Sequence, residues 1–113
     1  MRDSSLPKVV LEYINASNAH DVGAYLNTFT DNSVIIEQSI GRDLIGREEI
    51  EHYFTTYFIE YDTHTEIIDF TIDNSVIDMR VLFKGHFPEG EIIGLYQFHL
   101  KDNHIEQLRA DLE

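Results

Sequence analysis

The chain has 113 residues, with 21 acidic side chains against 8 basic ones, a formal net charge of −13 and no cysteine. That length suits one domain around one core. Charge this negative repels phosphates, which excludes nucleic acid and anionic membrane surfaces as partners, and the missing thiols exclude disulfides, thiolate metal sites and a cysteine nucleophile.

No run approaches the ~18 apolar residues of a membrane-spanning helix. The amino end, Met1 to Pro7, lacks an apolar secretory core and carries Asp3, so no signal peptide is expected and the cytoplasm is the expected location. No linker, low-complexity stretch or repeat interrupts the chain, and residues 1–113 are expected to form a single domain.

Ser4 or Ser5 can cap a first helix with Pro7 in its first turn, where a missing N–H costs nothing. Leu6, Val9, Val10, Tyr13, Ile14 and Ser17 recur at spacings of three and four, which predicts one inward stripe ending near Asn18. Asp21 is a cap for a second helix over Val22 to Phe29, with Val22, Tyr25, Leu26 and Phe29 on one face and Thr30-Asp31-Asn32 as its stop. Val34 to Glu37 reads as a short strand, and Gly41 and Gly46 bracket a turn-rich link. A third helix opens at Gly46 with Glu48 and Glu49 at the positive end of its dipole, its apolar face being Ile50, Tyr53, Phe54, Tyr57 and Phe58.

Beyond Tyr61 the period changes to two. His64, Glu66, Ile68, Phe70 and Ile72 are expected on the inner face of a strand. A turn at Asp73-Asn74-Ser75 leads to a strand with Ile77, Met79, Val81 and Phe83 inward, and Phe87 is expected on that same side. After Pro88-Glu89-Gly90, Ile92, Tyr96, Phe98 and Leu100 share one face of a third long strand. Asp102-Asn103 then turns into a last strand with Leu108, Ala110 and Leu112 on one side. Gly85 and Gly94 are read as interruptions within strands, where glycine marks a bend. Helices first and a meander afterwards predict an α+β fold: three N-terminal helices packed in a strongly curved antiparallel sheet, a cone-shaped cystatin-like roll. A cone of this kind leaves a hole at its wide end, the default ligand site.

Three stretches carry a resemblance: Tyr13-Ile14-Asn15-Ala16-Ser17-Asn18-Ala19-His20-Asp21, Tyr25 to Val34, and Gly46-Arg47-Glu48-Glu49-Ile50 with Tyr53-Phe54. Together, and in this element order, the sequence resembles the nuclear transport factor 2-like superfamily. Within it, the sequence is similar to the SnoaL-like group of polyketide cyclases and relatives of ketosteroid isomerase. The resemblance covers nearly the whole chain. It implies a catalytic set at Tyr13 as oxyanion donor, Glu37 at the place of the isomerases' Asp base, and Tyr96 at the place of their protonated Asp donor. Two of those three positions therefore hold a different residue type from the isomerases.

Two readings of the set stay open. If Glu37, Tyr13 and Tyr96 share an apolar cavity, the carboxylate can take a proton beside a carbonyl while the phenols hold the enolate oxygen, with no cofactor. Alternatively Glu37 ends an edge strand in water and the tyrosines are core residues, giving a non-catalytic ligand-binding or dimeric interaction domain. The expected pocket wall is Val10, Tyr53, Phe54, Tyr57, Phe58, His64, Phe83, Phe98 and Leu108, which suits a small apolar or cyclic organic ligand.

His64 with Glu66 offers only two ligands where zinc needs three or four, so no metal is expected. His52, His86, His99 and His104 are expected in solvent, and Asp78 with Arg80 as a surface ion pair. There is no phosphate loop and no Gly-x-Ser-x-Gly. Ile67, Leu82, Ile93 and Leu95 are expected to point outward, and such an apolar patch predicts a homodimer through the outer sheet face.

Overall fold

The computed structural model describes residues 6–113; the expected caps Ser4 and Ser5 lie outside them. Helix α1 spans Lys8–Ala19, with Pro7 at the capping position rather than inside the first turn. It buries Val9, Val10, Tyr13, Ile14 and Ser17, the stripe expected from the spacing. His20 ends it in the left-handed conformation, φ 56°. The Asn18 side chain both donates to Thr65 O (3.0 Å) and accepts from Thr65 N (2.7 Å), and the His20 ring meets Thr63 O at 2.9 Å. These contacts pin the end of the helix to the sheet.

Helix α2, Val22–Asn27, starts at Asp21, whose carboxylate accepts from Ala24 N at 3.1 Å. It is shorter than expected. Phe29 to Asn32 belong instead to strand β1, Phe29–Glu37, because this stretch runs alongside the last strand from Ile105 onward. The link after it contains a further strand, β2, Arg42–Ile45, paired antiparallel with Val34–Glu37. Helix α3, Gly46–Phe54, continues through one π-helical turn, Thr55–Ile59.

The remaining strands are β3 (His64–Asp73), β4 (Val76–Lys84), β5 (Glu91–Lys101) and β6 (His104–Leu112). They form a six-stranded sheet in the order β2-β1-β6-β5-β4-β3, with the helices against one face. The fold is the expected α+β roll, with one refinement: β1 runs parallel to β6, so Glu37 lies between β6 and β2 rather than on an edge. The Asp102-Asn103 turn takes positive φ at both residues, which short polar side chains tolerate and which matches the twist of the strands it joins.

Register irregularities bend the sheet. One falls in β3, where Ile67 faces Val81 and Asp69 faces Arg80, leaving Ile68 as an extra residue. This bulge overturns the expected phase. Before it, Thr65 and Ile67 point inward while His64, Glu66 and Ile68 are exposed; after it, Phe70 turns in. Ile67 is therefore not part of the outer apolar row. Gly85 lies just beyond β4, not within a strand. Arg80 pairs with Asp69 (2.7 Å) and Glu113 (3.3 Å) rather than Asp78, which instead accepts from Gln97 (2.9 Å). Cross-strand neighbours are closer than residues two apart on one strand. His52, His86 and His104 are exposed, whereas His99 is half-buried against Gln97.

The bulge makes an opposite prediction for two adjacent isoleucines. Ile67→Ala is expected to cost about 1–2 kcal/mol in urea unfolding and Ile68→Ala less than about 0.5 kcal/mol. Equal losses would place the extra residue elsewhere.

Candidate functional site

Alternation along β1 sends Ser33, Ile35 and Glu37 to the helix-facing side, and Glu37 ends the row only 7% exposed. Its Oε1 accepts a hydrogen bond of 2.6 Å from the Tyr53 hydroxyl on α3. Its Oε2 accepts from Ser39 Oγ at 3.0 Å. The Ser39 backbone N–H also donates to Oε2, at 3.4 Å, so both oxygens are held, one by a buried phenol and the other by the following turn.

A cavity of about 240 Å³ opens beside this carboxylate. Glu37, Tyr53, Phe58, Val81, Tyr96 and Ala110 are its buried wall, and Tyr57, Tyr61, Phe87, Glu89, Asp111 and Leu112 surround the more exposed mouth. Gly94 contributes to the space: a Cβ there would meet Val81 Cγ2 at 3.1 Å. Tyr96 of β5 sits opposite Ala110 of β6, which in turn lies beside Glu37 of β1, so three neighbouring strands deliver the base of the site.

Of the expected catalytic residues, Glu37 and Tyr96 reach the cavity and Tyr13 does not. Tyr13 lies behind Tyr96, ring centroids 5.9 Å apart and edge-on, with its hydroxyl 3.4 Å from that of Tyr25. Of the expected wall, Tyr53, Tyr57, Phe58 and Phe83 are there. Val10, Phe54, Phe98 and Leu108 are instead closed core, each at most 1% exposed, packed between the helices and the sheet. His64 stands on the outer face beside Glu66 (4.0 Å), a consequence of the β3 bulge.

The reading from sequence missed the mouth. Tyr61 and Glu89 lie in connecting segments, which carry no period, Asp111 sits on the phase opposite Ala110, and Phe87 was expected on the inner side but not in the pocket wall. Ser39, two residues after Glu37, was the one polar neighbour that proximity in sequence could have supplied.

Burial sets the chemistry of the phenols. Desolvation pushes Tyr53 well above the ordinary tyrosine range, and the Glu37 charge pushes it further. Desolvation does the same to Tyr96, aided by Tyr13, and to Tyr13, aided by Tyr25. Kept protonated, these hydroxyls are donors. The site can therefore offer one carboxylate acceptor and phenolic donors in a mostly apolar space. Among the described residues no group of three or more His, Cys, Asp or Glu could hold a metal ion, and no helix is long and apolar enough to cross a membrane.

The fold recurs in solved structures. A Sinorhizobium meliloti protein provisionally assigned as a polyketide cyclase shares 24% identity over 97% of this chain and 99% of its own, with a TM-score of 0.89. SalBIII, an epoxide hydrolase/cyclase-like enzyme in pyran ring formation of the polyether salinomycin, shares 22% over 100% and 95%, with a TM-score of 0.82. Rv0760c from Mycobacterium tuberculosis, seen in complex with estradiol-17beta-hemisuccinate, shares 18% over 90% and 88%, with a TM-score of 0.79. These likenesses show the fold. No curated protein matches the sequence. Residues 10–105 match the profile of the SnoaL-like domain, and the chain belongs to that family.

Proposed function

We propose that the cavity takes a small, mostly apolar organic molecule and that the domain acts on it as a cofactor-free isomerase or cyclase by removing a proton beside a carbonyl. The observation that carries this reading is Glu37: a carboxylate 7% exposed, at the buried wall of a mostly apolar cavity, with its oxygens aligned by Tyr53 and Ser39.

In the proposed reaction the C–H proton passes to Glu37 and the bonding pair moves onto the carbonyl oxygen. The Tyr96 hydroxyl, held protonated by its burial, donates to that oxygen. Tyr13 supports the Tyr96 ring from behind and is a positioning residue in this scheme, not a donor to ligand. Returning the proton to another carbon completes an isomerisation; attack of the enolate carbon on a second carbonyl, whose oxygen takes the proton from Glu37, completes a cyclisation. The related structures of a cyclase-like enzyme and of a steroid-ester complex are consistent with a ligand of this kind in this fold.

A second reading is favoured by the same contacts. Both Glu37 oxygens are already engaged and Tyr13 is withdrawn, which fits a cavity that binds without turnover. Proton exchange separates the two. Cyclic ketones incubated with the protein in deuterated water should lose their α-proton NMR signals faster than in buffer, and Glu37→Gln should slow this by about 10²–10⁴-fold while leaving the circular dichroism spectrum unchanged. Equal rates for wild type and variant remove Glu37 from the chemistry. Ligand-induced shifts with no exchange leave the binding domain.

We further infer a homodimer through the outer sheet face. Leu82 of β4 and Ile93 of β5 are paired in register, and with Leu95 they stand half-exposed on the side away from the helices. A second copy would cover them. Light scattering at micromolar concentration should give twice the chain mass; the mass of one chain would reject the dimer.

A further inference from the structure

The charges around the cavity are all of one sign. Three carboxylates line it, Glu37, Glu89 and Asp111, and no Lys, Arg or His does. Among the described residues none of the ion pairs within 4.0 Å involves any of the three. Arg42, which faces Glu37 in the β1–β2 register, is exposed and makes no such pair with it. Glu37 thus has hydrogen bonds but no counter-charge. A carboxylate so deeply buried is costly unless a positive group faces it.

The rest of the lining has a matching character. Seven of the residues around the cavity are aromatic, which outnumbers every other class there. Tyr53 and Tyr57 have ring centroids 5.5 Å apart and Phe58 and Phe83 5.2 Å apart, so the rings form a continuous surface rather than scattered contacts. Aromatic faces carry negative potential and attract organic cations, most strongly where water is excluded. Carboxylates and rings therefore select for the same kind of ligand.

We propose that the ligand is an organic cation, an alkylated amine whose positive end lies over the aromatic wall and balances Glu37. This rests on the reading of the cavity as a ligand site, and not on proton abstraction. The overall charge of −13 adds a long-range attraction that steers cations toward the mouth.

The test compares choline with its uncharged carbon isostere, in which a tert-butyl group replaces trimethylammonium. Amide shifts of labelled protein report both affinity and place. Choline is expected to bind about tenfold tighter or more, with shifts at Gly94, Ala110 and Asp111. Glu37→Gln should bring the two affinities together, and Tyr57→Leu, at a part-exposed position that folding tolerates, should weaken choline severalfold and the isostere little. An isostere that binds as well as choline overturns the inference and leaves a site for neutral ligands. Shifts elsewhere, or binding of neither compound, overturn it together with the cavity reading. A choline preference without ketone exchange upholds it while the catalytic proposal fails.

Discussion

The 2.6 Å hydrogen bond from the Tyr53 hydroxyl to Glu37 connects two layers of the molecule. It runs from α3 to the end of β1, and each partner is nearly sealed from solvent, Tyr53 at 6% and Glu37 at 7% exposure. A hydrogen bond to an ionised group is stronger than one between neutral groups, and its loss leaves a buried acceptor without compensation. The same two side chains are part of the cavity's buried wall. A carboxylate stays in this apolar setting because Tyr53, Ser39 and the strand alternation together leave it no other place to point.

The shape of the hole follows from side-chain size along two paired strands. Tyr96 faces Ala110 and Gly94 faces Leu112, whereas one step further Phe98 faces Leu108. Where two large residues meet, the space under the helices is filled. There Tyr25 stacks on Phe54 at 3.9 Å and Tyr13 packs edge-on to Phe98 at 5.3 Å. Where glycine and alanine occupy the sheet, the space remains open. Strand bulges turn the sheet around the helices, and the short residues decide which end of the roll is hollow.

Much of this was legible from the chain itself. The helical stripes of α1 and α3 have the spacing of a one-sided helix, and β4 and β5 alternate cleanly, so the layer order and the inward face of Tyr96 follow from pattern. The direction of Glu37 stayed open, because Val34, Ile35 and Ile36 are all apolar and mark no preferred face. Other parts carried no local signal. Arg42-Asp43-Leu44-Ile45 has two charges in four residues and becomes a strand only because β1 offers it a partner. The bulge at Ile68 has no glycine or proline to announce it, and it alone moves His64 out of the wall and Ile67 into the core side. The mouth is assembled from strand ends and connecting segments far apart in sequence, where only the folded chain shows which side chains meet.

Family membership supplies the scaffold, and this chain places on it a buried carboxylate on β1, a phenol on β5, and an aromatic wall with no positive side chain. The Tyr53–Glu37 contact is part of that wall. A double-mutant cycle of Tyr53→Phe and Glu37→Gln, read as unfolding free energy in urea, measures that contact directly. The account predicts a coupling of about 1.5–3 kcal/mol between the two sites. Strictly additive losses would contradict it, since they would mean that the two side chains do not hold one another and that the cavity wall is not built as described.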